Sequence, residues 1–114
     1  LATDPEIVHR ASPRERARVQ RILRGIMPVS ARSKGLINDG RQAGTPPQQA
    51  IETIAVPTLA ISVEDDRFGT AEAARYIAAT VRGAELIIFP SGGHVWVGHD
   101  RDLWVAVDAF LRKL

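Results

Sequence analysis

Two stretches of the sequence carry side chains that could do acid–base chemistry. The stretch "VEDDRFG" (residues 63–69) holds the carboxylates of Asp65 and Asp66, and "SGGHVWVGH" (residues 91–99) holds His94. In a hydrolytic triad a histidine accepts the proton of the nucleophile, while a carboxylate fixes the tautomer of the ring and stabilises the imidazolium. We therefore test the hypothesis that Asp66 and His94 are the acid and the histidine of such a triad.

The elements that must position these residues can be predicted from apolar patterning. "PTLAISV" (57–63) and "AELIIFP" (84–90) are short apolar runs, typical of strands buried on both faces. Between them, apolar residues recur at helical spacing over 71–81, and a final amphipathic helix begins at about Asp100. Its apolar residues are Leu103, Trp104, Val107, Phe110, Leu111 and Leu114. The order strand, helix, strand, helix predicts an α/β fold with a right-handed crossover between parallel strands.

This topology decides where the two motifs lie. Ligands of open parallel sheets bind beyond the carboxyl ends of the strands. "VEDD" and "SGGH" each follow one of the two predicted strands, so we expect Asp66 and His94 at the same edge of the sheet. Gly92 and Gly93 allow the tight turn that would bring the His94 ring close to its partners.

The first part of the chain is predicted to be helical. Ser12 and Glu15 form a capping box, in which the serine hydroxyl accepts from the Glu15 N–H and the Glu15 carboxylate reaches back to the Ser12 N–H. The apolar residues Val19, Ile22, Leu23 and Ile26 form one stripe, and Pro28 ends the helix.

A second, shorter helix is predicted from a cap at Ser30 to about Asp39, followed by a break. The residues of this break are Gly40, Gly44, Pro46 and Pro47. The chain up to residue 50 is net basic and the remainder is net acidic, which suggests two parts with different surroundings. We predict a helical segment at residues 1–44 and an α/β core segment at residues 45–114.

From about residue 54 to the end, the chain resembles the C-terminal part of an α/β-hydrolase fold enzyme. "VPTLAISVEDDRFGT" is similar to the segment that carries the catalytic acid of this family, "FPSGGHVWVGH" to its histidine loop, and "DLWVAVDAFL" to its terminal helix. The resemblance implies Asp66, not Asp65, as the acid and His94 as the histidine. Val63 stands where the family usually has glycine, and Thr70 where it often has proline. Residues 10–42 are similar to the helical cap that many members insert before the acid strand.

The nucleophile that the resemblance implies is missing from these residues. The family carries it in a Gly-x-Ser-x-Gly turn early in the chain. The serines here are Ser12, Ser30, Ser33, Ser62 and Ser91, and none lies in such a frame. We therefore expect a C-terminal part of a hydrolase, inactive alone, whose substrate is a small ester, thioester or C–C-bonded molecule. Members with an aspartate nucleophile, or without catalysis, remain alternatives.

Several residues have simpler interpretations. Asp65 is expected to be a helix cap or a solvated loop residue, and His99 a surface or capping residue rather than a substrate ligand. Trp96 and Trp104 are expected to pack against the core, and Trp96 could also line a substrate pocket. No metal-ligand spacing links His94, His99 and the acids, so neither metal nor cofactor is expected.

The composition limits the classes of protein to which the chain can belong. The chain has 114 residues, 45% of them apolar, a formal net charge of +2 and no cysteine, which excludes disulfides and thiolate chemistry. No apolar run approaches the roughly 20 residues of a membrane span, and no signal peptide is recognisable, so we expect a cytoplasmic protein without a membrane partner.

An arginine-rich helix leaves a second class open. Its arginines are Arg14, Arg16, Arg18, Arg21 and Arg24. No aromatic residues lie among them and the second half is acidic, so we expect no nucleic-acid partner. The alternative to an enzyme is a non-catalytic binding or regulatory module that uses this helix. If the chain is only part of an α/β core, one strand edge lacks a neighbour and favours association with another polypeptide. The expected protein partner is the N-terminal half of the enzyme or a second copy of the chain. The expected substrate is a small molecule.

Overall fold

In a computed structural model, residues 2–44 and 49–114 are described and form a mixed α/β structure. Three helices come first, α1 (Pro5–Arg10), α2 (Pro13–Ile26) and α3 (Ser33–Gly44). They are followed by β1 (Leu59–Val63), α4 (Thr70–Thr80), β2 (Glu85–Phe89) and α5 (Asp100–Leu111). The predicted order of strand, helix, strand and helix in the second part is confirmed.

The two strands pair in parallel and form a single sheet in the described part of the chain. The register runs from Leu59 opposite Glu85 to Val63 opposite Phe89. Helix α4 connects the strands and packs mainly on β1, where Ala60 and Val63 are buried along with Ala71 and Ala74 of the helix. The prediction of an α/β fold with parallel strands is therefore confirmed.

The burial of the strands departs from the prediction for β2. The side chains of β1 alternate between half-buried and buried, so both faces of this strand are covered. In contrast, Glu85 and Leu86 of β2 are exposed and the rest of the strand is only half-buried. The expectation that β2 is buried on both faces is wrong, because an apolar run shows which residues could be covered and not which elements cover them.

Helix α2 begins as predicted and packs against the second part of the chain. The Ser12 hydroxyl accepts a hydrogen bond from the Glu15 N–H at 3.2 Å, with Pro13 at the first helical position. Val19 is buried in a cluster with Val95 and Val97, which lie beyond β2. The helical segment and the residues around His94 therefore share one apolar cluster.

The second predicted helix has different bounds. Residues Val29–Arg32 form a 3-10 turn, so Ser30 lies inside this turn and does not cap the helix. Helix α3 continues past Asp39 and includes Gly40. A glycine inside a helix costs about 1 kcal/mol relative to alanine, which is too little to end a helix by itself. Pro46 and Pro47 lie outside the described residues, and the boundary between residues 44 and 45 stays a prediction.

Much of the apolar surface of helix α5 is exposed to solvent. None of its residues is buried, and Trp104, Val105 and Leu111 are exposed. The expectation that Trp104 packs against the core is wrong, since that face of α5 has no cover among the described residues. No helix in the described ranges has both the length and the apolar character required to cross a membrane.

The packing of α4 can be tested at Val81, which follows this helix and is only 2% exposed. Val81→Ala is expected to lower the free energy of unfolding by about 2 kcal/mol, because it removes two buried methyl groups and leaves a cavity. The matched control is Val105→Ala on α5, where the valine is 60% exposed and the change should stay within about 0.5 kcal/mol. Urea unfolding measures both, and equal losses in the two variants would contradict this packing.

Candidate active site

The structure places Asp66 and His94 in direct contact at the carboxyl edge of the sheet. Val63 and Phe89, the last residues of the two strands, lie opposite each other, and the Glu64 N–H donates to the Phe89 carbonyl at 2.8 Å. The two loops therefore leave the sheet side by side. Nδ1 of His94 lies 2.9 Å from Oδ2 of Asp66. The arrangement has the geometry of a carboxylate that orients an imidazole.

The Asp66 carboxylate is buried and receives several hydrogen bonds. Thr70 Oγ1 donates to Oδ2 at 2.5 Å, and the Phe68 N–H donates to Oδ1 at 2.9 Å. Because the single proton of Thr70 is used in this way, the hydroxyl of Ser62, 2.8 Å away, is the donor to Thr70 Oγ1. Sequence reasoning treated Thr70 only as a departure from a family pattern and missed its contact with the carboxylate.

These contacts keep Asp66 ionised. Burial raises the pKa of Asp66, but the hydrogen bonds from Thr70, His94 and the Phe68 N–H together outweigh burial and leave this pKa below its ordinary value. An ionised carboxylate can only accept hydrogen bonds, so Nδ1 of a neutral His94 must carry the proton. The other ring nitrogen, Nε2, is then the basic atom of His94.

His94 is held at one side and open at the other. The Phe68 ring packs edge-on against the imidazole, with centroids 4.7 Å apart and an interplanar angle of 87°. The His94 side chain is 42% exposed, whereas the Asp66 side chain is 4% exposed. A histidine with its Nδ1 bound to a buried carboxylate and its ring partly open could take a proton from a nucleophile that approaches Nε2.

Asp65 has a role different from the predicted cap or solvated residue. Its two carboxylate oxygens accept from the backbone N–H groups of Gly92 at 3.2 Å and Gly93 at 2.8 Å. Both glycines have positive φ angles, and a Cβ at Gly93 would lie 2.5 Å from the Thr3 side chain. Asp65 therefore fixes the turn that precedes His94. Sequence reasoning missed this contact, because Gly92 and Gly93 are 27 and 28 residues away from Asp65.

Glu15 also departs from the prediction. Its carboxylate does not reach back to the Ser12 N–H, as a complete capping box would require. It binds Arg18, with Arg18 Nη2 and Glu15 Oε2 at 2.9 Å, and it accepts from the Gly98 N–H at 3.0 Å. Helix α2 is thus attached to the loop of residues 90–99, called the histidine loop below. Helix capping already explains the spacing of Ser12 and Glu15, so the sequence contains no sign of the long-range contact between Glu15 and Gly98.

The aromatic residues of the histidine loop lie apart from the Asp66–His94 pair. His99 stacks on Phe89 with ring centroids 4.4 Å apart, and its Nδ1 lies 3.4 Å from an oxygen of Asp102. Trp96 is half-buried and also packs on Phe89, in agreement with the expected packing of this residue. Neither residue belongs to the lining of the apolar cavity formed by Thr3, Pro5, Val8, Val19, Leu23 and Val95. A substrate contact at Trp96 stays a prediction, and His99 lies at the N-cap position of α5.

An apolar cavity lies between the first helices and the histidine loop. Its volume is about 270 Å³, and it is lined by Thr3, Pro5, Val8, Val19, Leu23 and Val95. Val95 is the neighbour of His94 in the chain, although His94 itself does not line the cavity. The cavity could hold a small apolar group beside the loop that carries the histidine.

A metal site requires several ligand side chains grouped around one point. Within residues 2–44 and 49–114, no three histidine, aspartate or glutamate side chains come together as a metal site would require. The acids close to His94 are instead engaged by hydrogen bonds from the protein.

Comparison of the chain with models of protein families, with curated proteins and with solved structures found no match.

The hydrogen bond from Thr70 to Asp66 should affect how the stability of the protein depends on pH. The pKa of Asp66 is lower in the folded protein than in the unfolded chain, so its stabilising contribution is complete above the ordinary value of about 3.9 and is lost as the pH falls through the folded value. Thr70→Val removes one of the interactions that lower this pKa. We expect a higher Asp66 pKa, a smaller loss of stability on acidification, and a protein less stable at neutral pH by about 1–3 kcal/mol.

Titration of the Asp66 carboxyl carbon by NMR, together with urea unfolding over a pH series, measures these effects. The control is Thr80→Val at the opposite end of α4. An Asp66 titration that is identical in the wild type and in Thr70→Val would contradict the prediction.

Proposed function

We propose that this chain supplies the acid and the histidine of a catalytic triad in a hydrolase of the α/β-hydrolase fold. The observation that carries the proposal is the 2.9 Å contact between Asp66 Oδ2 and His94 Nδ1 at the carboxyl edge of two parallel strands. The order of acid and then histidine along the chain agrees with that family. The mixed α/β structure is compatible with it.

In this mechanism the two residues have separate tasks. Asp66 stays ionised, accepts a hydrogen bond from the Nδ1–H group of His94 and stabilises the imidazolium when it forms. Nε2 of His94 takes the proton from the nucleophile and later gives it to the leaving group. The Asp66 side chain is 4% exposed and that of His94 is 42% exposed, so the carboxylate side of the pair is shielded from water, and such shielding strengthens an interaction between charges.

The nucleophile of the proposed reaction is supplied by polypeptide outside these 114 residues. No serine of the sequence lies in a Gly-x-Ser-x-Gly turn. Ser62, which lies on β1, is buried and hydrogen-bonded to Thr70, so it supports the Asp66 site and is not free to attack a substrate. Serine is the nucleophile that we favour, and an aspartate is the alternative.

The cavity beside the histidine loop supports a substrate class. Its lining side chains are mostly aliphatic, so it would favour a small hydrocarbon group over a charged one. We propose a small ester, thioester or C–C-bonded substrate with an apolar part. No metal or cofactor enters this mechanism, since an acid, a histidine and a nucleophile suffice for acyl transfer.

The alternative function is a non-catalytic binding module that uses the arginines of α2. Arg14, Arg21 and Arg24 are exposed and could contact an acidic partner. Arg16 and Arg18 instead bind backbone carbonyls of the chain itself. Two of the five arginines are therefore engaged within the chain, and the Asp66–His94 contact favours the enzyme.

Activity is expected of a longer polypeptide that contains these 114 residues together with the segment encoded before them in the same reading frame. We expect a Gly-x-Ser-x-Gly turn there and hydrolysis of p-nitrophenyl esters. His94→Ala and Asp66→Asn should each lower kcat by on the order of 10⁴-fold, as loss of the correct tautomer or of the base does in triad enzymes.

The matched controls are His9→Ala on α1 and Asp39→Asn on α3, both exposed and on elements other than the two loops that carry the pair. The 114-residue chain alone should show no turnover. Ester hydrolysis by the chain alone that disappears in His94→Ala would contradict the missing nucleophile. Full activity of the longer polypeptide after both substitutions would contradict the triad.

The open surfaces of the chain support a protein partner. Leu86 on β2 and Trp104 on α5 are exposed, and β1 pairs with one strand only in the described residues. Unpaired strand edges and exposed apolar side chains favour association. We propose that the N-terminal half of the enzyme, or a second copy of the chain, covers them.

Without its N-terminal half, the chain is expected to self-associate at micromolar concentration, because burial of these side chains is favourable. Sedimentation velocity should show a dimer or larger species, and Leu86→Glu should shift it toward the monomer. Leu36→Glu on α3, where the leucine is also exposed, is the control and should change less. A strictly monomeric wild type would count against this interaction.

A further inference from the structure

An ion pair on helix α2 lies against the histidine loop. Arg18 and Glu15 face each other in a two-pronged arrangement, with Arg18 Nε 3.1 Å from Glu15 Oε1 and Arg18 Nη2 2.9 Å from Glu15 Oε2. The two side chains are only 16% and 15% exposed. Most ion pairs between neighbouring turns of a helix are exposed and contribute little. This pair is covered, so its geometry is restricted.

Both members of the pair also bind the backbone of the histidine loop. Arg18 Nη2 donates to the Val95 carbonyl at 2.7 Å and is 3.2 Å from the Trp96 carbonyl. Glu15 Oε2 accepts from the Gly98 N–H at 3.0 Å. Val95 directly follows His94 in the chain. The ion pair therefore fixes the residues immediately after the histidine.

Arginine is suited to this task. Its planar guanidinium presents several donors in a fixed fork, so one side chain can bind a carboxylate and a carbonyl at the same time. The hydrogen bond from Arg18, assisted by the Gly98 N–H, holds the pKa of Glu15 below its ordinary value even though burial opposes this shift. The carboxylate consequently stays charged, and hydrogen bonds to charged groups are the stronger ones.

The histidine loop is thus held from two sides. Asp65 binds the N–H groups of Gly92 and Gly93 before His94, and the Glu15–Arg18 pair binds the backbone after it. Asp65 belongs to the same loop as Asp66, whereas the ion pair belongs to the helical segment. Both sets of contacts involve the backbone close to His94, whose ring binds Asp66.

We propose that the Glu15–Arg18 pair is a positioning element for His94, so that the Asp66–His94 contact forms fully only while α2 is docked on the histidine loop. This inference rests on the proposed function for its catalytic meaning. The inference gives the helical segment a second role. Besides lining the cavity, this segment controls the position of the His94 ring, the proposed general base, relative to Asp66. A small displacement of a catalytic group can lower a rate by about 100-fold, so such a contact would matter for turnover.

The test measures the tautomer of His94 and needs no turnover. Long-range ¹H–¹⁵N correlations from the ring CH protons distinguish the Nδ1–H from the Nε2–H form at a pH where the ring is neutral. In the wild type, Nδ1–H should predominate because it donates to Asp66. In Arg18→Met we expect this predominance to be lost in favour of a mixture rich in Nε2–H.

Two further variants separate positioning from general destabilisation. Arg18→Lys keeps the charge without the planar fork and should give an intermediate tautomer ratio. Arg21→Met removes an exposed arginine of the same helix and should leave the wild-type ratio. Amide exchange of the β1–β2 ladder, followed in parallel, should be the same in all variants if only the loop is affected.

Each outcome bears on the proposal. An Arg18→Met variant that retains the wild-type tautomer would overturn the positioning role and leave the proposed function intact. An Arg21→Met variant that behaves like Arg18→Met would show a general effect of helix charge and also overturn it. A wild type without the Nδ1–H form would overturn both this inference and the Asp66–His94 pair on which the proposed function rests.

Discussion

The parallel hydrogen-bonded ladder between β1 and β2 is the constraint on which the rest of the site depends. It places Val63 opposite Phe89, so the chain leaves the sheet twice at one edge. The loop after β1 carries the two acids, and the loop after β2 carries the histidine. An antiparallel pair would send these loops to opposite edges. Helix α4 returns the chain to the starting edge and packs on β1, which makes the parallel arrangement possible.

The buried carboxylate of Asp66 is the feature of this edge that is most costly in free energy. Burial of an unpaired charge is unfavourable by several kcal/mol, so the surroundings must supply donors. Asp66 obtains them from Thr70, the Phe68 N–H and His94, while the Ser62 hydroxyl supports Thr70. The same donors determine the tautomer of His94. The charge on Asp66 and the position of the proton on the His94 ring therefore have one physical origin.

The sequence was sufficient for features with a local pattern and insufficient for those created by packing. Apolar runs and helical spacing located both strands and α4, and the parallel topology placed Asp66 and His94 at one edge. The partners of Asp65 and Glu15 were not predictable in this way, because Gly93 and Gly98 are distant in the chain and each acid had a sufficient local interpretation. The exposure of Trp104 and Leu86 also depends on cover that periodicity does not reveal.

The distribution of burial separates the candidate site from the rest of the described chain. Val63, Val81 and Ser62 are its most completely buried side chains, and Val63 and Ser62 lie on the strand that leads to Asp66. Helix α3 and helix α5 bury none of their residues. Stability from apolar burial is proportional to the area removed from water, so it is concentrated around β1, α4 and the histidine loop. A partner that covered β2 and α5 would add apolar burial where the described chain has little of it. Such a partner would not have to form the Asp66–His94 contact, because the chain already makes it.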